Sequence, residues 1–501
     1  MLNNVLDGFV QVMSLKPLFG ILAGVIVGII FGSIPGISAI MAIAILLPVT
    51  FFMDPIVGIC MLLAVYKAGI YGGSISAILI NTPGAAASFL TASDGFALTR
   101  KGKAGKALDT ALFASVTGEA LATIVLILVA APISVISLKA GPIERTFLLI
   151  FAFTVISTMA REGLLMGLIS CCLGMLFSMV GMSEITGASR FTFGITELTS
   201  GFAFTPMLIG ILVMPTILVA IKRGGENKEL DVIKLKTNIE SRLSLKEFKS
   251  LLPTILRSTG IGAFIGAMPG LGSTAAAFMA YGEAKRRSKK PEDYGKGSLE
   301  GIAAAESANN AVCGSSMIPM LTLGIPGDDV TALLMGAFLI HGLTPGPMIF
   351  YESTDIIYAI FAGFLITDLV LLFVARIGFG FFIKVSALPK YYIYSCVTLF
   401  AIVGAYSVSQ SMFDVLVLIG FTVFGYLMKV VGLNPAVFIV AFILAPFLEQ
   451  NVDQSLSIVG TDYIQLFSSP ISWVFIILSL LFVYSTFRFK TKKSKGFIKE
   501  Y

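Results

Sequence analysis

The sequence predicts an all-α polytopic membrane protein made of two inverted-topology repeats. Three observations carry that reading. Hydrophobic residues make up 56% of the 501-residue chain and charged residues 13%, with a mean hydropathy of +0.93; a soluble domain carries about 25% charged residues. Long apolar stretches recur, among them Met207 to Ile221, Ile356 to Ala375 and Trp473 to Phe487, on the scale of the roughly 20 residues a helix needs to span a bilayer. A pair of Pro-Gly motifs also occurs twice, in the same order, once in each half.

Other classes fit poorly. Five cysteines and one histidine, His341, form neither a disulfide framework nor a metal-ligand cluster. An intramembrane enzyme would need a metal constellation or a nucleophile–base pair, which a single histidine supports badly. Residues 1–16 lack the basic, apolar and small-residue succession of a cleavable signal and read as an amphipathic, interfacial segment. The net charge of +6 gathers in four loops: Arg100, Lys101, Lys103 and Lys106; Lys222 to Arg257; Lys285 to Lys296; and Arg488 to Lys499. That is the positive-inside pattern, not a nucleic-acid footprint, and it puts all four loops in the cytoplasm.

The elements follow in order. Leu15 to Phe52 is apolar around Pro35-Gly36, and Ile56 to Leu90 is interrupted by Pro83-Gly84. Segments near Leu108–Leu138, Thr146–Ala160, Leu164–Met182 and Met207–Ile221 complete a first repeat, residues 1–221. Residues 222–257 read as a cytoplasmic linker with a surface helix around Leu243–Leu251. The pattern then restarts: Thr254 to Tyr281 holds Pro269-Gly270, and Gly301 to Ile340 holds Pro326-Gly327. Segments near Ile356–Ala375, Tyr391–Val408, Val415–Met428 and Ala436–Phe447 complete a second repeat, 258–450. Residues 451–501 supply a last membrane helix, Ile471–Phe487, and a basic tail. The expected count is about 11 crossings plus two re-entrant hairpins, with the N-terminus outside and the C-terminus inside. Full crossings remain open for the first Pro-Gly element of each half; each second one reads as a crossing broken in its middle.

The repeat is explicit. Gly28-x-x-x-Gly32-x-x-Pro35-Gly36 matches Gly262-x-x-x-Gly266-x-x-Pro269-Gly270. Gly72-Gly73-Ser74 leading to Asn81-Thr82-Pro83-Gly84 matches Gly314-Ser315-Ser316 leading to Gly324-Ile325-Pro326-Gly327, with one residue inserted. In the first half the basic loop follows the second Pro-Gly; in the second half it lies between the two. Equivalent loops therefore face opposite sides, the architecture of many secondary transporters.

Pro-Gly stops a helix. Broken backbone survives at membrane depth only inside protein or beside a wet cavity. Each break frees a helix N-terminus that favours an anion, while carbonyls at the other broken end suit a cation such as sodium. The expected substrate site therefore comprises Pro35, Gly36, Gly72, Gly73, Ser74, Asn81, Thr82, Pro83, Gly84, Pro269, Gly270, Asn309, Asn310, Pro326 and Gly327, with sodium near Asn81, Thr82 and Asn310. Coupling-cation or charge-partner candidates are Lys67, Glu306, Ser315, Asp328 and Asp329. Lys67, inside an apolar segment, is a functional candidate by default: it would meet a substrate carboxylate, replace a cation, snorkel, or pair with an acid such as Glu306. Glu306 reads equally as cation ligand or proton carrier, and Asp328 or Asp329 as favouring the first turn of the next helix. His341 reads as an interface residue.

These residues resemble the large membrane subunit of tripartite tricarboxylate transporters, the TctA-type family, over nearly the whole chain. The most specific elements are Tyr71-Gly72-Gly73-Ser74 with Asn81-Thr82-Pro83-Gly84, and Asp94-Gly95 before Lys101-Gly102-Lys103-Ala104-Gly105. In the second half they are Glu306-Ser307-Ala308-Asn309-Asn310-Ala311, Leu323-Gly324-Ile325-Pro326-Gly327, Gly342-Leu343-Thr344-Pro345-Gly346-Pro347 and Pro446-Phe447-Leu448-Glu449. The resemblance implies bacterial inner-membrane uptake of di- or tricarboxylates, coupled to sodium or protons. It also implies two partners: a small membrane subunit and a periplasmic solute-binding protein. No cofactor beyond the coupling ion is implied, and homo-oligomerisation is left open. Lys67 departs from the pattern, where an uncharged or aromatic residue is expected. A stand-alone solute:cation symporter and a channel are the competing transport readings.

Overall fold

The computed structural model describes residues 2–158, 163–183, 185–222, 241–386 and 390–497. They are largely helical, with one two-stranded ribbon pairing Gly181–Met182 with Ser189–Arg190. Among them, eight helices are long and apolar enough to cross a bilayer: Leu15–Ser33, Pro55–Ile80, Ala104–Ser137, Phe204–Lys222, Thr354–Phe382, Tyr392–Ser409, Met412–Val431 and Pro435–Val459. Leu128, Phe373, Ile377, Leu399 and Leu480 point outward, each more than half exposed. Such apolar outer faces suit hydrocarbon rather than water. The chain is a multi-pass membrane protein.

Two compact units divide the chain: Met1–Ser134 with Ile217–Gln410, and Val135–Thr216 with Ser411–Tyr501. Each draws a segment from either half.

The first unit contains all four Pro-Gly breaks and repeats one three-helix motif. Gly20, Gly24, Gly28 and Gly32 face Val57, Met61, Val65 and Gly69 in turn. Leu15–Ser33 and Pro55–Ile80 therefore run parallel at backbone contact; a Cβ on Gly28 would stand 2.7 Å from the Val65 carbonyl oxygen. Small residues at i, i+4 spacing permit such an approach. The chain turns back at Pro35-Gly36, where Gly36 takes φ 87°. The helix Ala39–Thr50 then runs antiparallel to Pro55–Ile80, with Ala39 against Gly69 and Thr50 against Gly58. In the second half Gly262 faces Ala308 and Gly266 faces Val312, so Leu245–Gly266 parallels Leu299–Ser315. After Pro269-Gly270, with Gly270 at φ 94°, Gly272–Arg287 returns: Ala276 and Ala280 pack with Ala308 and Val312, and Ala284 with Ala304. The glycine spacing seen in the sequence is thus the packing stripe of both motifs.

The second break of each half follows a long helical run. Pro83-Gly84 lies between the 26-residue helix Pro55–Ile80 and the helix Phe89–Arg100. In the other half Leu299–Ser315 and Met317–Leu323 run almost end to end before Pro326-Gly327. Left-handed Asn81 (φ 54°) and Gly324 (φ 71°) terminate the two runs at matching positions.

Loops gather at two ends of this unit. At one, Lys101 Nζ donates to the Lys296 carbonyl (2.6 Å), Lys106 pairs with Glu247 (2.7 Å) and Arg242 with Asp109 (3.1 Å). Asp94 Oδ1 accepts the backbone N–H groups of Gly295, Gly297 and Ser298 at 2.7, 3.0 and 2.8 Å, while Tyr281 OH donates to its Oδ2 at 2.8 Å. Three of the four basic loops are thereby tied together. At the other end the His341 ring lies against Gly58, beside the turn Phe51 to Pro55. The expected surface helix around Leu243–Leu251 is the start of Leu245–Gly266, opened by a Ser244–Glu247 capping box. Most of the linker, residues 223–240, lies outside the described residues.

Within the second unit, Gly174 packs on the Phe438 backbone and Gly210 on Leu418. Phe177, Phe202, Phe421, Phe424 and Phe438 form an aromatic cluster. Glu449, from the Pro446–Glu449 element, pairs with Arg190 at 2.8 Å.

Candidate functional site

Two buried polar clusters lie in the first unit. The first centres on Glu306, in the Ala-rich helix Leu299–Ser315. Ser74 Oγ donates to Glu306 Oε1 (2.6 Å), Thr91 Oγ1 donates to the same oxygen, and Ser115 Oγ donates to Oε2 (3.1 Å). Ser88 Oγ lies 2.9 Å from Ser74 Oγ. Asn310 Nδ2 donates to Ser115 Oγ (2.8 Å) and to the Glu306 carbonyl (3.0 Å). All six residues are fully buried or nearly so. Three hydroxyl donors on one carboxylate suit its ionised form, which accepts but does not donate. Beside it, both amide atoms of Asn309 and the Oδ1 of Asn310 are buried without a hydrogen-bond partner. Such groups cost free energy unless something satisfies them, so they are the polar capacity still open here.

The second cluster centres on Lys67. Its ammonium pairs with Asp368 Oδ1 (3.0 Å) and Glu119 Oε1 (3.2 Å), donates to the Phe364 carbonyl (2.6 Å) and lies 4.3 Å from the Phe364 ring centroid. Lys67 is wholly buried, and Glu119 and Asp368 are 1% and 2% exposed. Among the described residues neither carboxylate has a hydrogen-bond partner apart from the lysine. Of the readings open for Lys67, the buried acid pair is the observed one, with acids other than Glu306. Gly28 packs on Val65 and Gly262 on Ala308, and Lys67 and Asn310 each lie two residues further along; by that packing the two clusters use corresponding positions of the repeat. Ser115 and Glu119 are one turn apart on Ala104–Ser137, about 6 Å along its axis, so the clusters adjoin.

The Pro-Gly residues converge within each half. Gly84 N–H donates to the Gly73 carbonyl (3.1 Å), and Gly84 packs on Gly32, just before Pro35-Gly36; Gly72 packs on Ile29 and Gly32. Gly270 N–H donates to the Gly327 carbonyl (2.9 Å), and Gly327 packs on Ser316. Of the four helices that follow the breaks, those capped by Ser38, Ser88 and Leu271 have no side-chain cap bond. The N–H groups that open Ala39–Thr50 and Gly272–Arg287 retain capacity for an anion, whereas Phe89–Arg100 continues the 3-10 turn Ala86–Ser88 and its Phe89 N–H already donates to the Ala86 carbonyl. The fourth is closed by Asp328, which accepts from Val330 and Thr331 N–H in a capping box and from Tyr66 OH (2.5 Å). Asp328 is thus a helix cap, and Asp329 opens that helix. Ser315 bonds back to the Ala311 carbonyl at 2.9 Å. Asn81 is exposed and Thr82 bonds only locally, to Ile80 O (3.2 Å), while Asn310 is fully buried. No hydrogen bond joins that turn to Asn310 among the described residues.

Thr91, Ser88, Ser115, Glu119 and Asp368 escaped the sequence reading. The rule that singled out Lys67, an ionisable residue inside an apolar helix, applies equally to Glu119 and Asp368; the hydroxyls carry no comparable signal.

Comparison with known proteins decides the family. The profile of the tripartite tricarboxylate transporter TctA family matches residues 18–440. The chain belongs to the TctA family. It is 33% identical to an Agrobacterium vitis protein described as "Uncharacterized 52.8 kDa protein in TAR-I ttuC' 3'region", over 100% of this chain and 99% of that one. A second A. vitis protein, "Uncharacterized protein in TAR-II ttuC' 3'region", is 35% identical over 44% of this chain and 92% of its own length. No solved structure matches. Membership makes the chain a component of a tripartite tricarboxylate transport system, and both clusters and all four Pro-Gly breaks fall within the matched residues.

Proposed function

We propose that this TctA-family chain imports small di- or tricarboxylates across the bacterial inner membrane by cation-coupled secondary transport. It works with a small membrane subunit and takes substrate from a periplasmic binding protein. The observation that carries the reading is the presence, in one unit, of uncapped helix N-termini at two Pro-Gly breaks and a buried, partly unsatisfied amide and hydroxyl cluster. N-terminal N–H groups and amides bind carboxylate oxygens, while Glu306 and free amide oxygens favour a cation beside them.

Two further features support the mechanism. Basic loops that occupy non-equivalent places in the two halves meet at one end of the first unit, and their counterparts, which carry no Lys or Arg, lie together at the other, as an inverted repeat requires. All four breaks and both clusters belong to one compact unit, which suits an elevator-type movement carrying the site. The residues given to substrate are the four Pro-Gly turns with Ser74, Asn309 and Asn310; Glu306 is the cation partner. Asn309→Leu and Asn310→Leu are expected to abolish uptake of labelled carboxylates while membrane expression persists. Undiminished uptake in both variants contradicts the assignment.

A further inference from the structure

The Lys67 cluster is unbalanced. One ammonium faces two carboxylates, so with all three ionised the group carries a net charge of −1, wholly buried. Each carboxylate keeps an oxygen, Glu119 Oε2 and Asp368 Oδ2, without a partner among the described residues. Burying an uncompensated charge is costly, and a protein relieves it by neutralisation. A sodium ion fits poorly: it needs several oxygen ligands, the ammonium stands within 3.2 Å of both carboxylates, and it already takes the Phe364 carbonyl. A proton fits, since it needs one carboxylate oxygen and no ligand shell.

We propose that the Glu119–Asp368 carboxylate pair, held by Lys67, is the binding site of a transported proton. This deepens the cation coupling above and rests on that transport reading. A proton from the more acidic compartment forms one O–H bond on a carboxylate oxygen and brings the triad from −1 to neutral. Release to the other compartment breaks that bond and restores −1. The lysine stays protonated throughout, as a fixed countercharge that confines the site to one exchangeable proton.

The neighbouring titratable groups do not offer the same chemistry. The helix bearing Lys67 also carries Tyr66, whose hydroxyl is committed to Asp328 of the 329–340 helix. Leu299–Ser315 contributes Cys313, whose thiol carries no charge to balance, and Glu306, whose three hydroxyl donors favour its ionised form over a protonated one. Asp109, on the helix of Glu119, is tied to Arg242, and Arg376, on the helix of Asp368, lies over Phe113. Leu15–Ser33 contributes only Lys16, exposed in its first turn, and Ala39–Thr50 contributes none. Phe89–Arg100 carries Asp94, bound to the 295–298 backbone, and terminal Arg100.

The test has two arms on the full chain, wild type against Glu119→Gln and Asp368→Asn. In lipid nanodiscs, infrared difference spectra between acid and alkaline buffer are expected to show a titrating carboxylic-acid band in wild type that at least one variant loses. Its persistence at full intensity in both variants, or its absence from wild type, overturns the site. In proteoliposomes with the tripartite partners, the ratio of pH-gradient-driven accumulation to carboxylate counterflow is expected to fall at least tenfold in both variants. A ratio equal to wild type in either overturns the coupling role. If wild type moves no carboxylate at all, the transport reading fails, while the infrared arm still decides the proton site. Thermal unfolding screens each variant, and either one that folds suffices.

Discussion

Replacing Lys67 by Met removes the sole countercharge of a fully buried site. The structure sets the loss: ion pairs at 3.0 and 3.2 Å, a 2.6 Å hydrogen bond to Phe364 O and the cation–π contact at 4.3 Å. Removing one partner of a buried ion pair costs about 3–5 kcal/mol, because the other charge is left uncompensated. Here two carboxylates are stranded and a desolvated cation–π contact of about 2 kcal/mol goes too, which puts Lys67→Met at the upper end, about 5 kcal/mol. The cost should be strongly non-additive. In Lys67→Met with Glu119→Met and Asp368→Leu, no charge is stranded, and apolar replacement of an entire buried ion group is often neutral or stabilising. The triple variant should therefore recover to within about 1–2 kcal/mol of wild type. Detergent-driven unfolding of purified protein, followed by circular dichroism, reads both values. A Lys67→Met variant as stable as wild type refutes the reasoning, as does a triple variant no better than the single.

Three further outcomes follow from the first unit. Gly262→Ala forces a Cβ to 2.8 Å from the Ala308 Cα and should cost about 1–3 kcal/mol or more; Gly260→Ala, with open space around it, should be neutral or gain up to about 1 kcal/mol, both by the same unfolding assay. Asp94→Ala strands three backbone N–H groups and Tyr281 OH; the expected loss is about 2–4 kcal/mol, with faster proteolysis at Lys289, Lys290 or Lys296. The Glu247 carboxyl is held down to about 2 by hydrogen bonds from Lys106 and Ser244. Its contribution is therefore complete above the ordinary value of 4.5 and is lost as pH falls toward 2; being a surface pair it is small, and Glu247→Gln should flatten that part of the stability–pH curve.

Much of the first unit was legible because its signals are backbone signals. Gly and Pro act through sterics and a missing donor, so Gly28-x-x-x-Gly32 and Pro35-Gly36 read the same in sequence and in structure. Loop charge was equally legible, and three of the four basic loops do meet. What escaped depends on helix rotation. Ser115, Thr91 and Ser88 are ordinary hydroxyls until folding turns them onto Glu306. Lys67 stands out in the sequence, but its partners lie 52 and 301 residues away, and only packing selects them over Glu306. The breaks at Pro83 and Pro326 are visible in the sequence, but an apolar run does not show where its helix ends; the left-handed caps at Asn81 and Gly324 fix that.

The central claim is that the Pro-Gly turns and the Asn309–Asn310 cluster carry a carboxylate across the membrane. The most direct measurement is uptake of a labelled panel of di- and tricarboxylates into proteoliposomes holding the chain and the small membrane subunit proposed for it, with the proposed binding protein outside and a cation gradient imposed. The account predicts saturable accumulation that requires both the binding protein and the gradient, and that disappears in Asn310→Leu. Unsaturable flux indifferent to the gradient, or undiminished accumulation in that variant, contradicts it.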